Sequence, residues 1–342
     1  MDRTALAWAL VIGIVALLVF PVFLNSLTVT TRAKLSESGA VERIDLSGWP
    51  RVGTPSDRFV VYYSPSLAQG EALAREAREY LAQAERIAQE RVGLSLGRLG
   101  LALLPYRPGL GEAVIRHDRR TVLQQALGLS PLVVFPLVVP PDLRTFTEAP
   151  ETVRHDLYWV TVHEGIERSI GDRLYWHDRR LRWVGDGLAE YVAFTVTKDV
   201  DPEVACLGLE QQLLRLRVGL RQGVLTYDLT EDFLVRVGAQ GGAEGSPSEG
   251  DRIRASREQV GYGLAFAFWY EVALHHGEET IRRFWERVRR EPIQGLEDVL
   301  RILADLTAED VGGAIRNVSV QEALEFLKIS LKAHTTYGPC RF

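Results

Sequence analysis

Twenty consecutive residues, Ala5 to Leu24 (ALAWALVIGIVALLVFPVFL), are apolar and uncharged. At about 1.5 Å of rise per residue, a helix of this length covers a hydrocarbon core of about 30 Å, so the pattern predicts one membrane-spanning helix at 1–24. The run is longer than the core of a usual signal peptide, and no small-x-small cleavage site follows in NSLTVTTRAK. An uncleaved anchor is therefore expected, with a cleaved signal as the competing reading. Residues 25–57 mix Ser, Thr, Gly and charge without sustained periodicity and read as a stalk or linker.

Beyond the stalk the pattern changes twice. Arg58 to Ser64 is β-branched and aromatic and predicts a strand. Leu73, Ala77, Leu81, Ala84 and Ala88 then recur at helical spacing, with Gly93 as the stop. Leu99 to Leu104 and PLVVFPLVV (131–139) predict two more strands, the prolines confining the second to an edge. Such an edge offers an extended partner for a peptide. From Pro150 the pattern is helical, with helices expected at 151–170 (stopped by Gly171), 182–197, 203–220, 256–276, 278–290 and 319–333. Residues 238–250 (GAQGGAEGSPSEG) form a low-complexity loop. The fold class is α+β: a transmembrane helix, a small α/β half at 58–149 with a mixed sheet, and a mostly helical half at 150–335.

Composition narrows the function. The chain has 342 residues, 46% hydrophobic and 25% charged, which is globular and long enough for about two domains. Its 40 basic and 45 acidic residues are interspersed and sum to −5, so no field gathers phosphate backbones and no nucleic acid is expected as partner. Two cysteines, Cys206 and Cys340, exclude a disulfide framework and a cysteine-rich zinc site. Arg3 before the apolar run and Arg32 and Lys34 after it orient it weakly. The short N-terminal tail favours a single-pass protein with its soluble part outside the cytoplasm.

The chemistry concentrates in His163-Glu164-Gly165-Ile166-Glu167. Residues four apart share a helix face, so His163 and Glu167 can reach one ion, with Glu164 displaced around the axis toward an adjoining water. A third ligand is needed. After eighteen intervening residues Glu167 is followed by Asp186, inside Trp183-Val184-Gly185-Asp186-Gly187-Leu188-Ala189-Glu190-Tyr191.

These segments resemble the gluzincin metallopeptidases, the clan with a thermolysin-like catalytic half, and within it the peptidase-MA-like and aminopeptidase-N-type families. Those carry HExxH, eighteen residues, and then Glu in a Trp-x-x-Glu-Gly-x-Ala segment. The resemblance runs diffusely over residues 58–333, including Val260-Gly261-Tyr262-Gly263-Leu264-Ala265-Phe266 and the helices after it. It implies a peptide or protein substrate and one divalent metal, Zn²⁺ first, with Mn²⁺ or Fe²⁺ as alternatives. His163 would be a ligand, Glu164 the general base, Asp186 the third ligand, Glu190 the acid that orients the ligand histidine, and Tyr262 the donor to the oxyanion.

Two departures matter. Glu167 stands where the family has its second histidine, and Asp186 where it has glutamate. The harder, more anionic donor set weakens the ion as a Lewis acid and shifts preference from Zn²⁺ toward Mn²⁺ or Fe²⁺. Asp186 is a methylene shorter, so either its helix approaches closer or Glu190 ligates instead. The expected function is a membrane-anchored metallopeptidase. The alternative is a catalytically inactive, membrane-tethered binding module in which Arg168, Arg180 or Arg182 neutralises the carboxylates. His155, two turns before His163, and His177 in the connecting loop are further candidates to flank the ion. Asp178-Arg179-Arg180-Leu181-Arg182 reads as a solvated basic patch.

Overall fold

The computed structural model describes residues 30–34, 39–54, 56–116, 132–174, 178–230 and 249–337. The expected membrane helix, His177, Cys340 and most of the low-complexity loop lie outside them. No helix among the described residues is long and apolar enough to cross a membrane. The chain divides into two compact units, residues 1–78 with 98–149, and residues 79–97 with 150–342.

The first unit holds strands β1 (Thr30–Lys34), β2 (Ala40–Ile44), β3 (Arg51–Val52) and β4 (Phe59–Tyr63), then helix α1 (Gly70–Val92), inside which the division falls. Strands β5 (Leu99–Pro105), β6 (Leu110–Arg116) and β7 (Val133–Val139) complete it. They form two sheets, β1-β6-β2 and β3-β4-β5-β7. In the second, β4, β5 and β7 run parallel, with β3 antiparallel at one end. The stretch read as a stalk thus contains β1 and β2, held in register by β6, which lies more than sixty residues further on. Their largely polar, exposed residues hide a strand signal that only the distant partner completes. Ile44, Ala102, Leu104, Ala113, Ile115 and Val138 form a common core for these strands. Strand β7 stands at the end of its sheet, as Pro136 requires, but Thr31 donates its hydroxyl to the carbonyl of Val134, so that edge is partly taken.

The second unit is helical. On α1 the predicted stripe residues Leu81, Ala84 and Ala88 are fully buried. The helix expected at 151–170 is instead three pieces, α2 (Glu151–His155), a π turn (Asp156–Val160) and α3 (Thr161–Leu174), running on past the buried Gly171. There follow α4 (Arg182–Val200), α5 (Pro202–Arg221), β8 (Thr226–Tyr227), α6 (Glu249–His276), α7 (Glu278–Arg290), α8 (Leu296–Thr307), α9 (Val311–Arg316), β9 (Val318–Ser319) and α10 (Val320–Tyr337). Helix α4 is buried from Trp183 to Thr197 and packs against α3, α5 and α6. Its contact with α6 is close: a Cβ on Gly187 would lie 2.6 Å from the carbonyl oxygen of Ala265, so only glycine fits. Helices α8 and α9 are elements that the sequence pattern did not predict. Cys206 on α5 is disulfide-bonded.

Candidate metal and acid-base site

The site is built on the α3–α4 contact. A π turn carries one residue more than an α turn and so rotates the next helical segment about the axis. Within this turn the carbonyl of Tyr158 accepts hydroxyls from Tyr80 (2.7 Å) and Thr197 (2.8 Å). It also aims the indole of Trp159 at α4, where Nε1 donates to Glu190 Oε2 at 2.6 Å. His155, expected as a candidate beside the ion, instead stacks on Trp159 with ring centroids 5.9 Å apart.

One turn on, His163, Glu164 and Glu167 each present a donor atom, and the three atoms lie within 4.8 Å of one another. His163 Nε2 is 3.7 Å from Glu167 Oε2. On the other side of the ring, Nδ1 is buried without a hydrogen-bond partner and lies 3.9 Å from Glu190 Oε1. Glu190 is nearly fully buried and its carboxylate is crowded with donors: Trp159, Gln212 Nε2 at 3.1 Å and Arg215 Nη1 at 2.7 Å. Burial alone would push its carboxyl up, but the Arg215 guanidinium and His163 outweigh it and hold the pKa below the ordinary value. Burial likewise opposes protonation of His163, and Glu190, Glu167 and Glu164 together still raise it. Burial, with Asp186 nearby, pushes Glu167 up to about 7.

Asp186 is fully buried and its Oδ2 accepts from Arg182 Nε at 2.7 Å. Arg182 Nη2 also donates to the hydroxyl of Tyr262 at 2.9 Å. Arg182 is thus not part of a solvated patch: Arg180 turns to Asp178 while Arg182 turns inward. The expected ligand set of His163, Glu167 and Asp186 is accordingly split, with Glu164 grouped beside the first two and Asp186 ion-paired. Tyr262 lies with its ring 6.4 Å from that of His163. Burial, with Asp186 nearby, raises its phenol well above the ordinary value, so it is a hydrogen-bond donor at any physiological pH. Glu258, one turn before Tyr262 on α6, is half-buried; burial first, and Asp186 beside it, raise its carboxyl.

Trp159, Gln212, Arg215 and Glu258 are not among the residues that the sequence motifs single out. Gln212 carries a signal, a fully buried amide in the apolar stripe of Leu209, Leu213 and Leu216. Trp159 carries none, because its reach depends on the π turn.

No family model matches the chain, and no curated protein matches it. Among solved structures, the chain is similar to an M1 zinc metallopeptidase from Deinococcus radiodurans, at 14% identity and a TM-score of 0.38. Two structures of a mutant of that enzyme also match at 15% identity, one with a TM-score of 0.39 and one, bound to a Tyr-Ser-Ala substrate, with 0.34. The aligned regions take in 88–89% of this chain and 52% of those chains, so it spans about half their length, and the reading of the site stands on its own residues.

Proposed function

We propose that the chain is a membrane-anchored, metal-dependent peptidase that hydrolyses peptide bonds by metal-activated water. The observation that carries this reading is the donor cluster on α3, one imidazole and two carboxylates within 4.8 Å of one another and partly shielded from solvent. The residues fit a divalent cation. Burial, and after it the neighbouring carboxylates, raise Glu167, which positive charge relieves, and the orphaned Nδ1 of His163 faces the carboxylate of Glu190, leaving Nε2 toward Glu167. Zn²⁺ is the favoured ion, and the oxygen-rich set also suits Mn²⁺ or Fe²⁺. When bound, the ion supplies Lewis acidity and a water of lowered pKa.

The chain's own residues do the rest. His163 and Glu167 would hold the ion with Asp186 as third ligand, Glu190 would fix the imidazole, Glu164 would take a proton from water and pass it to the leaving amine, and Tyr262 would donate to the developing oxyanion. Residues 5–24 anchor the protein, and the disulfide at Cys206 supports an oxidising, extracytoplasmic setting for the soluble part. The Arg182–Asp186 ion pair favours a second reading, a membrane-tethered peptide-binding module without catalysis.

Metal analysis of the full chain purified in detergent, with supplementation by Zn²⁺, Mn²⁺ or Fe²⁺, separates the two. One ion per chain, lost in Glu167→Ala, together with peptide cleavage abolished in Glu164→Gln, is the expected result. Peptide binding without stoichiometric ion in any supplement would establish the second reading.

A further inference from the structure

We propose that Arg182 is a built-in competitor for the metal ion: its guanidinium occupies Asp186, and its displacement admits a divalent cation to that carboxylate. The inference rests on reading the α3 cluster as a metal site and adds a regulation of it by a residue of the same chain.

Two observations converge. Arg182 is the first residue of α4, where the helix dipole disfavours positive charge, so the helix gains nothing from an arginine there. A local rule broken without local gain points to the site. Second, the guanidinium is held by the fully buried Asp186 carboxylate at 2.7 Å and the partly buried Tyr262 hydroxyl at 2.9 Å, with only 16% of the arginine side chain exposed. A carboxylate that close to a guanidinium cannot take a dication without strong repulsion between the two cations.

The site then has two arrangements. With Arg182 turned in, Asp186 is neutralised and the grouped donors are His163, Glu164 and Glu167. With Arg182 turned out, Asp186 completes the set with His163 and Glu167 and frees Glu164 to act as the base. The residue that faces the ion thereby sets how much free metal the protein needs before it acts.

The test is calorimetric titration of Mn²⁺ and of Zn²⁺ into the chelator-stripped full chain in detergent, beside thermal unfolding with and without each ion. Arg182→Gln keeps a hydrogen-bond donor toward Asp186 and Tyr262 but removes the charge. It should bind at least one of the two ions at least tenfold more tightly than wild type and show a larger rise in melting temperature on adding it. Arg182→Lys keeps the charge and should stay within about threefold of wild type. Equal or weaker binding of both ions by Arg182→Gln, or a tenfold gain in Arg182→Lys as well, overturns the proposal. If the wild-type chain binds no ion and Arg182→Gln does, the competitor role stands and the wild type is not a resident metalloenzyme. If wild type and Arg182→Gln bind equally, only the competitor role is lost.

Discussion

Gly208 on α5 lies directly beneath the indole of Trp159, and this contact tests whether the π turn positions the site. A Cβ built on Gly208 falls 2.1 Å from Cζ3 and 2.2 Å from Cε3 of the ring, far inside contact distance, so Gly208→Ala must push the indole away. The ring is not free to go. Its Nε1 is fixed at 2.6 Å on Glu190, in a cluster that also holds Gln212 and Arg215. Overpacking costs about 1–3 kcal/mol. Losing a hydrogen bond to a charged acceptor adds about 1.5–3 kcal/mol. Alanine's helix propensity gives back about 1 kcal/mol. A net loss of about 3 kcal/mol is therefore expected, read as a lower midpoint in urea by far-ultraviolet circular dichroism. In a Trp159→Phe background the six-membered half of the indole is gone, and Gly208→Ala should be neutral or stabilising there. Such a cycle isolates the contact from the general effect of each change. A neutral Gly208→Ala in the wild-type background, or equal losses in both backgrounds, would refute the packing argument.

The same region yields three more expected outcomes. Glu190 has its folded pKa below the ordinary 4.5, so the stability it lends is present above that value and is lost as pH falls through the folded one; Glu190→Gln should lower the melting temperature at pH 7 and flatten its decline below pH 4.5. Glu167 has the opposite sign, raised to about 7, so ionising it in the fold costs stability that grows as pH rises from 4.5 toward 7. Metal-free Glu167→Gln should match wild type near pH 5 and melt above it at pH 8, an order that saturating Mn²⁺ should reverse. Gly187→Ala places a Cβ against the backbone of Ala265, which cannot yield as a flexible side chain would, and should cost at least about 2 kcal/mol in chemical unfolding despite its better helix propensity.

Periodicity found what burial on one face dictates. The stripes of α1 and α7 are one-sided, and Leu81, Ala84 and Ala88 on the first and Ile281, Phe284 and Val288 on the second are buried as the spacing requires. Strands β1 and β2 escaped because their pairing partner β6 lies far along the chain and their own residues are largely polar and exposed. Helix α8 was not predicted, although Leu296, Val299, Leu300 and Leu303 keep helical spacing and are buried. In the site, the His163–Glu167 relation is a property of one helix and could be read directly. Arg182 and Asp186 are also four apart, yet the arginine ends a run of basic residues, and nothing along the chain says which of them turns inward. The direction is set by Asp186 and Tyr262, and Tyr262 comes from a helix eighty residues on.

The buried charges themselves argue for function. Asp186 and Glu190 lie one turn apart on a helix otherwise lined by Val, Leu, Ala, Phe and Trp, and each is held by an arginine. Apolar residues of similar volume in place of such a pair are commonly neutral or stabilising by about 1–4 kcal/mol, so stability does not account for two pairs in one core. The pairs also differ in kind. The carboxylate of Glu190 is bound by three donors from three side chains, which suits a fixed support for His163. Asp186 and Tyr262 share the long, flexible Arg182, at the start of its helix and partly open to solvent, an arrangement that can be exchanged. One pair holds the imidazole still while the other can open, and that division of labour between neighbouring turns of α4 is what a cation site with a displaceable occupant requires.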